Sequence, residues 1–212
     1  MTRGAETREK LLDTAIELIW RSSYDGVGVN EICKRAGTTK GGFYHHFESK
    51  ADLFYAASEH YWSGMQQELN AIYAPSYTPL EQLDNLYNLV IDKQGRDQYD
   101  DNPVAGCPFF TSGSQCSVGE EKVRQAAEEM TENAVKYNIA LVRGLKGDGV
   151  LNGDPNPEAL GRMLHQYIQG LLTYGRIYRD LEVVKQDLRE GLWRILDVKH
   201  EYRQQRIERA AE

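Results

Sequence analysis

The sequence of 212 residues has no apolar run near the roughly 18 residues that a membrane-spanning helix needs. Its first ten residues are polar and charged, without the apolar segment and small-residue cleavage site of a secretory leader. A cytoplasmic protein is therefore expected. Cysteine is scarce as well. The three cysteines are an odd number without CxxC spacing, which argues against a disulfide framework and against a structural zinc site.

Positive charge is also in short supply, because the chain carries a net charge of −7. Residues 1–60 hold eight Lys or Arg and nine Asp or Glu, a net of −1, so the remaining residues carry −6. The excess acid thus lies outside the N-terminal region, which is compatible with a locally basic surface there. Charge alone does not indicate a nucleic-acid partner.

The short motifs by which common enzyme classes hold phosphates, metals or nucleophiles are missing. The sequence contains no GxGxxG, P-loop, HExxH or GxSxG pattern. An enzyme is not expected, and neither a cofactor nor a metal is predicted.

Helical periodicity is what the sequence does contain. Over residues 6–21, apolar side chains recur at three- and four-residue steps without Gly or Pro, which predicts a helix. The same pattern, with Gly and Pro marking ends, predicts an all-α fold of about nine helices. The other eight are expected at residues 29–36, 40–47, 49–72, 80–93, from 108, 120–146, 155–178 and 182–197. Residues 95–106 are expected to form a loop, and the last helix can extend into the charged tail.

The most informative segment is residues 29–53, where residues 36–39 (AGTT) join two short predicted helices. This spacing is typical of a helix-turn-helix, whose second helix lies in the major groove of DNA. Gly37 allows the sharp turn, and Ile32 and Ala36 share the face that would pack on the first helix. The second helix would offer small and polar groups to phosphates and bases, namely Thr39, Lys40, Gly41, Gly42, Tyr44 and His45.

Residues 36–53 (AGTTKGGFYHHFESKADL) resemble the TetR family of repressors, whose pattern is Ala-Gly, a Thr or Ser turn, Tyr-x-His-Phe and Lys-x-x-Leu. The resemblance is dense over residues 6–61 and fades to a helical pattern beyond. It implies a three-helix DNA-binding domain at residues 1–50 and an effector-binding and dimerisation domain at residues 51–212. It also implies DNA contacts by Thr38, Thr39, Lys40, Tyr44, His46 and Lys50, with Gly41 and Gly42 lining the groove.

Other interpretations of this segment stay open. His45 and His46 could be a metal pair, although adjacent helical residues point about 100° apart and no Cys or carboxylate stands at ligand spacing. Tyr44 and Phe47 could be core aromatics, which is the better interpretation for Phe47. The helix-turn-helix could also contact protein rather than DNA.

For the C-terminal helices, the resemblance implies a ligand cavity and a homodimer formed by the last two helices. Both helices carry apolar stripes, although such stripes are more often simple core. Two-fold symmetry would match a palindromic operator, from which a small-molecule effector would release the repressor. Aromatic residues are plentiful and Arg and Lys sparse in the presumed pocket helices, which favours an aromatic or apolar effector. The expected dimer contacts are Leu164, Tyr178, Leu188, Leu192 and Ile195.

Cys107 stands just before Pro108, where a helix is predicted to begin. The positive end of a helix dipole would lower the pKa of its thiol. The stretch resembles that of electrophile-sensing TetR repressors with a Gly-Cys at a similar place, so a thiol-gated sensor is one alternative function. Ordinary packing of a small apolar residue is the other interpretation. The residues expected to bind or sense an effector are Trp62, Cys107, Phe110, Tyr167 and Tyr174.

Overall fold

The computed structural model describes residues 3–94, 102–117 and 120–203. Within these ranges the protein is all-helical, with one isolated antiparallel bridge between Leu151 and Val198, which confirms the predicted fold class. No helix there is long and apolar enough to cross a membrane. In the described ranges, the helices are labelled in chain order: α1 (Arg3–Arg21), α2 (Val29–Arg35), α3 (Lys40–His46), α4 (Lys50–Ile72), α5 (Pro79–Gln94), α6 (Pro108–Gln115), α7 (Glu121–Gly147), α8 (Pro157–Tyr178) and α9 (Leu181–Ile195).

Local sequence explains where most of these helices begin. Pro is the first residue of α5, α6 and α8, where its fixed φ suits the helix and its missing N–H is not needed. Five helices begin after a residue whose side chain accepts a hydrogen bond from the backbone N–H three residues later. These caps are Thr39 of α3, Ser49 of α4, Thr78 of α5, Asn156 of α8 and Asp180 of α9.

The two chain ends depart from the prediction. α1 begins at Arg3, three residues earlier than expected, and α9 ends at Ile195 instead of running on into the tail. Asp197 adopts a positive φ of 47°, and Val198 then forms the bridge to Leu151. A separate helical segment follows at residues 200–203. Residues 95–101 of the predicted loop and residues 204–212 of the tail lie outside the described residues.

Two hydrophobic cores organise the molecule. The N-terminal core is built by α1–α4, with Leu11, Phe43 and Phe54 among its fully buried side chains, and it takes in residues of α6 and α7. The C-terminal core joins α5, α7, α8 and α9. α4 belongs to both, because its first half lies in the N-terminal core while Ile72 and Tyr73 pack against the C-terminal core. This long helix therefore links the two parts.

Candidate functional site

The exposed face of α3 presents the side chains that the sequence assigns to DNA contacts. Tyr44 keeps 56% of its surface exposed, whereas Phe43 on the opposite face is fully buried in the N-terminal core. Hydroxyl, ammonium and imidazole groups are thus displayed together on one helix, as contacts to phosphates and base edges require. The exposed residues are Thr39, Lys40, Gly41, Tyr44 and His45, and the partly exposed ones are Thr38, Gly42 and His46.

The turn before α3 depends on two glycines. Gly37 has a φ of +67°, a left-handed conformation that favours glycine. A Cβ atom at Gly42 would collide with Oγ1 of Thr38. The backbone N–H of Gly42 donates to Oγ1 of Thr39 at 3.1 Å, which caps the helix. The geometry that presents α3 is therefore built into residues 37–42.

Lys50 is placed differently from the prediction. Its Nζ donates a hydrogen bond to the backbone carbonyl of Tyr24 at 3.0 Å and lies 4.0 Å from the centroid of the Tyr24 ring. The ammonium group is attracted to the face of the ring. Lys50 is half-buried and ties the start of α4 to the turn after α1. The ammonium group is thus engaged within the subunit, and the DNA contact implied for Lys50 stays a prediction.

His45 and His46 lie edge to face, with 4.9 Å between ring centroids. In the described part of the chain, no group of three Cys, His, Asp or Glu side chains could hold a metal ion. Their exposed position on α3 places both imidazoles beside the other proposed DNA contacts.

A cavity of about 150 Å³ lies between α8 and the helices α1, α4, α5, α6 and α7. Among the described wall residues, only Lys93 forms an ion, and its ammonium pairs with the Glu68 carboxylate. An apolar cavity of this size accommodates a benzene-sized molecule. Five aromatic side chains line it: Trp20, Tyr61, Trp62, Phe110 and Tyr137.

Three residues predicted to meet an effector lie in this wall, namely Trp62, Cys107 and Phe110. Two others do not. Tyr167 lies against Gly191 of α9 and donates its hydroxyl hydrogen to the backbone carbonyl of Asp187. Tyr174 is on the outer surface of α8, stacked on Tyr178 with 4.3 Å between centroids. The prediction that Tyr167 and Tyr174 line the effector cavity is wrong, because both point to other faces of α8.

His165 is a wall residue that the sequence prediction missed. It is 8% exposed, and its Nε2 has no hydrogen-bond partner among the described residues. Burial lowers the pKa of the imidazole, so the ring is neutral near pH 7. A signal was present in the sequence, since His165 shares a helical face with Gly161, Ile168 and Leu172. A polar residue within an apolar stripe marks such a position.

Cys107 is the residue before α6, as predicted, but the pKa of its thiol is raised and not lowered. Burial raises the pKa of the thiol, and this outweighs the backbone N–H groups of Phe109 and Phe110, which hydrogen-bond the sulfur and lower it. The helix start does stabilise a thiolate, but the apolar surroundings destabilise it more. The thiol lies between the cavity and a more polar cleft that reaches the end of α1.

The two phenylalanines of α6 face different parts of the molecule. Phe109 is fully buried in the N-terminal core, 5.4 Å from the ring centroid of Phe54 and 5.3 Å from that of Tyr61. Phe110 lines the cavity, where its ring meets that of His165 edge-on at 6.2 Å. One short helix thus touches both the cavity and the core beneath the helix-turn-helix.

Comparisons with known proteins agree with this architecture. Residues 11–57 match the model of the bacterial regulatory proteins of the tetR family. An uncharacterized HTH-type transcriptional regulator from the lacX 3' region of Lactococcus lactis subsp. lactis is 26% identical over 180 residues, covering 84% of this chain and 88% of the relative. The chain is therefore similar to tetR-family regulatory proteins over residues 11–57 and to an HTH-type transcriptional regulator over most of its length.

Solved structures of TetR-family regulators show the same fold over most of the chain. A regulator from Agrobacterium tumefaciens has a TM-score of 0.81 at 19% identity, covering 92% of this chain and 100% of that one. The reduced form of NemR from Escherichia coli has a TM-score of 0.76 at 21% identity, covering 87% and 94%. The NemR sequence from strain K12, named a transcriptional repressor, is 36% identical over 67 residues, which is 32% of this chain and 34% of the relative. The solved structures thus show the fold of this chain, and these relatives are transcriptional regulators.

Three of the five predicted dimer contacts lie inside the C-terminal core of the single chain. Leu164 and Leu188 are 0% exposed and Leu192 is 1% exposed in the single chain. A partner subunit cannot touch a side chain that its own subunit already buries, so the prediction for these three residues is wrong. Ile195 is half-buried against the same core, and Tyr178 is exposed.

The protein instead presents apolar side chains on the outside of α8. Tyr178 is 64% exposed and Ile177 is 71% exposed. With Met163 and Tyr174, which are also exposed, they form what we call the α8 surface strip. Large exposed apolar patches on soluble proteins commonly mark interaction surfaces.

Proposed function

We propose that the protein is a homodimeric repressor that binds a palindromic operator through α3 and releases it when a small apolar or aromatic effector enters the cavity. TetR-family regulators bind operator DNA and act as dimers. The proposal adds which residues contact DNA, which surface forms the dimer and what the cavity does. Residues 1–50 would form the DNA-binding unit, and residues 51–212 the effector and dimer unit.

The proposed DNA contacts are the residues of α3 and its preceding turn. Their exposure supports this assignment, as does the burial of Phe43 behind them. Lys50 would act chiefly by holding the start of α4 against Tyr24. The contacting residues would be Thr38, Thr39, Lys40, Gly41, Gly42, Tyr44, His45 and His46.

One observation carries the effector part of the proposal: wall residues, among them Tyr61 and Cys107, pack against the N-terminal core. Trp20 of α1 is a wall residue, and its ring lies 5.9 Å from that of Tyr61. Phe109, the residue before Phe110 on α6, packs against α4. An occupant that displaces Phe110 would shift α6, and packed elements move as units rather than deform. The helix-turn-helix would move with it.

The dimer would form through the α8 surface strip. A two-fold axis places the same patch on both subunits, so a self-complementary apolar strip suits an isologous interface. Two α3 helices would then face half-sites separated by one helical turn of DNA or a multiple of it.

Selection from a random pool of duplexes tests the DNA assignment without knowledge of the target genes. The full-length protein should enrich an inverted repeat, and the Tyr44→Ala variant should enrich none or select it weakly. Enrichment of an asymmetric site, or equal selection by the variant, would contradict the proposal.

Thiol sensing at Cys107 is a second candidate function, favoured by the position of the thiol. Cys107 lies in the cavity wall beside Phe110, where an apolar electrophile would be held close to the sulfur. Burial opposes the reaction by raising the thiol pKa. A Cys107→Ser variant decides the matter: if it still releases operator DNA on exposure to N-ethylmaleimide as the wild type does, Cys107 is not the sensor.

A further inference from the structure

We propose that the cavity binds an uncharged, single-ring aromatic molecule bearing a hydroxyl group, and that His165 holds this hydroxyl. The inference rests on the proposed function, because it names the chemical class of the effector at the same cavity. It is carried by the charge, the shape and the hydrogen-bonding capacity of the wall.

The charge of the wall excludes an ionised ligand. Lys93 is the single ion-forming side chain among the described wall residues, and Glu68 already neutralises it. A carboxylate or ammonium ligand would lose its hydration here without gaining a counter-charge, which is strongly unfavourable. The ligand is therefore uncharged.

The shape of the cavity favours one aromatic ring. Its volume of about 150 Å³ is in the range that accommodates a benzene-sized molecule. Aromatic side chains contributed by α1, α4, α6 and α7 surround it, namely Trp20, Tyr61, Trp62, Phe110 and Tyr137. Aromatic rings pack well in edge-to-face and offset contacts with one another, so a flat ring suits this wall better than a flexible chain.

His165 supplies a buried polar atom to a wall in which the other buried amide side chains are already engaged. Asn138 donates to the backbone carbonyl of Gly161 at 3.4 Å, and the side-chain oxygen of Gln94 accepts from the backbone N–H of Gly106 at 2.8 Å. Nε2 of His165 is buried and has no partner among the described residues. Buried polar atoms are costly when unpaired.

A hydroxyl group is the ligand function that suits this imidazole. The ring is neutral, so Nε2 is either a donor or an acceptor, depending on the tautomer. A hydroxyl both donates and accepts and therefore pairs with either tautomer. Because Phe110 packs edge-on against the imidazole, a ligand at His165 also touches the helix that contacts the N-terminal core.

Phenol, toluene and benzoate are the probes that separate these features. Phenol and toluene have the same number of heavy atoms, and water-to-apolar transfer alone favours toluene. Calorimetric titration of the full-length protein should nevertheless show phenol binding roughly tenfold tighter than toluene, the ratio that one buried hydrogen bond gives. Benzoate should show no binding at the same concentrations.

Three variants assign the preference to His165. His165→Leu should reverse it, so that toluene binds tighter than phenol. His165→Gln retains a polar group and should keep part of the preference for phenol. Gln166→Leu changes the neighbouring residue on α8, which is exposed and lies outside the cavity wall, and should leave the ratio of the two affinities unchanged. Toluene binding as tightly as phenol to the wild type, an unchanged ratio in His165→Leu, or benzoate binding like phenol would each overturn the proposal.

A parallel titration with operator duplex keeps this inference separate from the proposed function. If phenol binds through His165 while the operator complex persists at saturation, the ligand class stands and the release mechanism fails. If none of the probes binds while α3 variants still lose DNA affinity, the ligand class is wrong and the DNA assignment stands.

Discussion

The N-terminal and C-terminal parts of the molecule differ in how completely they are filled. The void inside the N-terminal core, lined by residues that include Ala15, Tyr24 and Phe54, measures about 10 Å³. That is about the smallest volume that holds one water molecule. The cavity beside α8 measures about 150 Å³ and has an unpaired imidazole in its wall. Close packing makes the part that carries α3 rigid, whereas the other part leaves room for a small molecule.

The boundary between these parts runs through α6. Adjacent residues of this helix belong to opposite sides, with Phe109 in the filled core and Phe110 in the cavity wall. The difference in packing between the N-terminal core and the cavity side can therefore be tested with pairs of substitutions at neighbouring positions, one on each side.

The largest effect is expected for a charge placed in the C-terminal core. Leu188→Glu buries an unpaired carboxylate and should destabilise the fold by roughly 4–5 kcal/mol or more, close to the whole stability of a domain. Ile177→Glu, on the α8 surface strip, should leave the subunit folded but monomeric. Circular dichroism and analytical ultracentrifugation measure the two outcomes. A folded, monomeric Leu188→Glu variant or a dimeric Ile177→Glu variant would place the interface elsewhere.

The second-largest effect is expected in α6, where alanine substitutions of its two phenylalanines should lower the stability of the fold by different amounts. Phe109→Ala removes a fully buried ring and should lower the free energy of unfolding by about 3–5 kcal/mol. Phe110→Ala removes a half-buried ring from the cavity wall and should cost only about 1 kcal/mol. Urea denaturation of both variants tests the difference. Equal losses of stability would mean that α6 does not separate the two sides.

A smaller loss is expected at the DNA-contacting surface, and it should appear in binding rather than stability. Tyr44→Ala should weaken operator binding by about 1–3 kcal/mol, because its exposed side chain is proposed to contact DNA. The control is Tyr77→Ala, another exposed tyrosine that lies just before α5. Fluorescence anisotropy at fixed salt compares them, and equal affinities for both variants would contradict the assignment.

The smallest expected change concerns the reactivity of Cys107. A pKa above the ordinary value means fewer thiolates at pH 7 and a rate that keeps rising as the pH passes the ordinary thiol pKa. In a Cys33→Ser/Cys116→Ser background, iodoacetamide should modify Cys107 at least about tenfold more slowly than glutathione at pH 7. Mass spectrometry follows the reaction. A rate equal to or above that of glutathione would show an activated thiol.

The helices and the helix-turn-helix could be predicted because periodicity and turn chemistry are local properties of the sequence. Gly37, Thr39 and Ser49 act where the sequence places them, since a cap or a left-handed turn depends on neighbours along the chain. The position of Lys50 could not be predicted in the same way. Its partner, Tyr24, is 26 residues away and is brought near by packing.

The faces of α8 and α9 were the weakest part of the prediction, for a related reason. An apolar stripe shows which face is buried but not whether the chain itself or a partner buries it. The pattern at Leu164 and Leu188 therefore fits a dimer surface as well as the core in which the structure places them. The cavity wall combines six helices, and single residues such as Trp20 and His165 enter it only through the tertiary fold. No spacing rule along the sequence joins them.

The central claim is that occupancy of the cavity changes DNA binding at α3, and a substitution that fills the cavity tests it without any ligand. Ala134→Trp places a large ring in the cavity wall, whereas Glu132→Trp places the same ring on the exposed side of α7. Operator affinity is measured by anisotropy on variants shown to be folded dimers. The account predicts that Ala134→Trp binds operator DNA at least about fivefold more weakly than Glu132→Trp. Equal affinities would show that the cavity and α3 are not coupled.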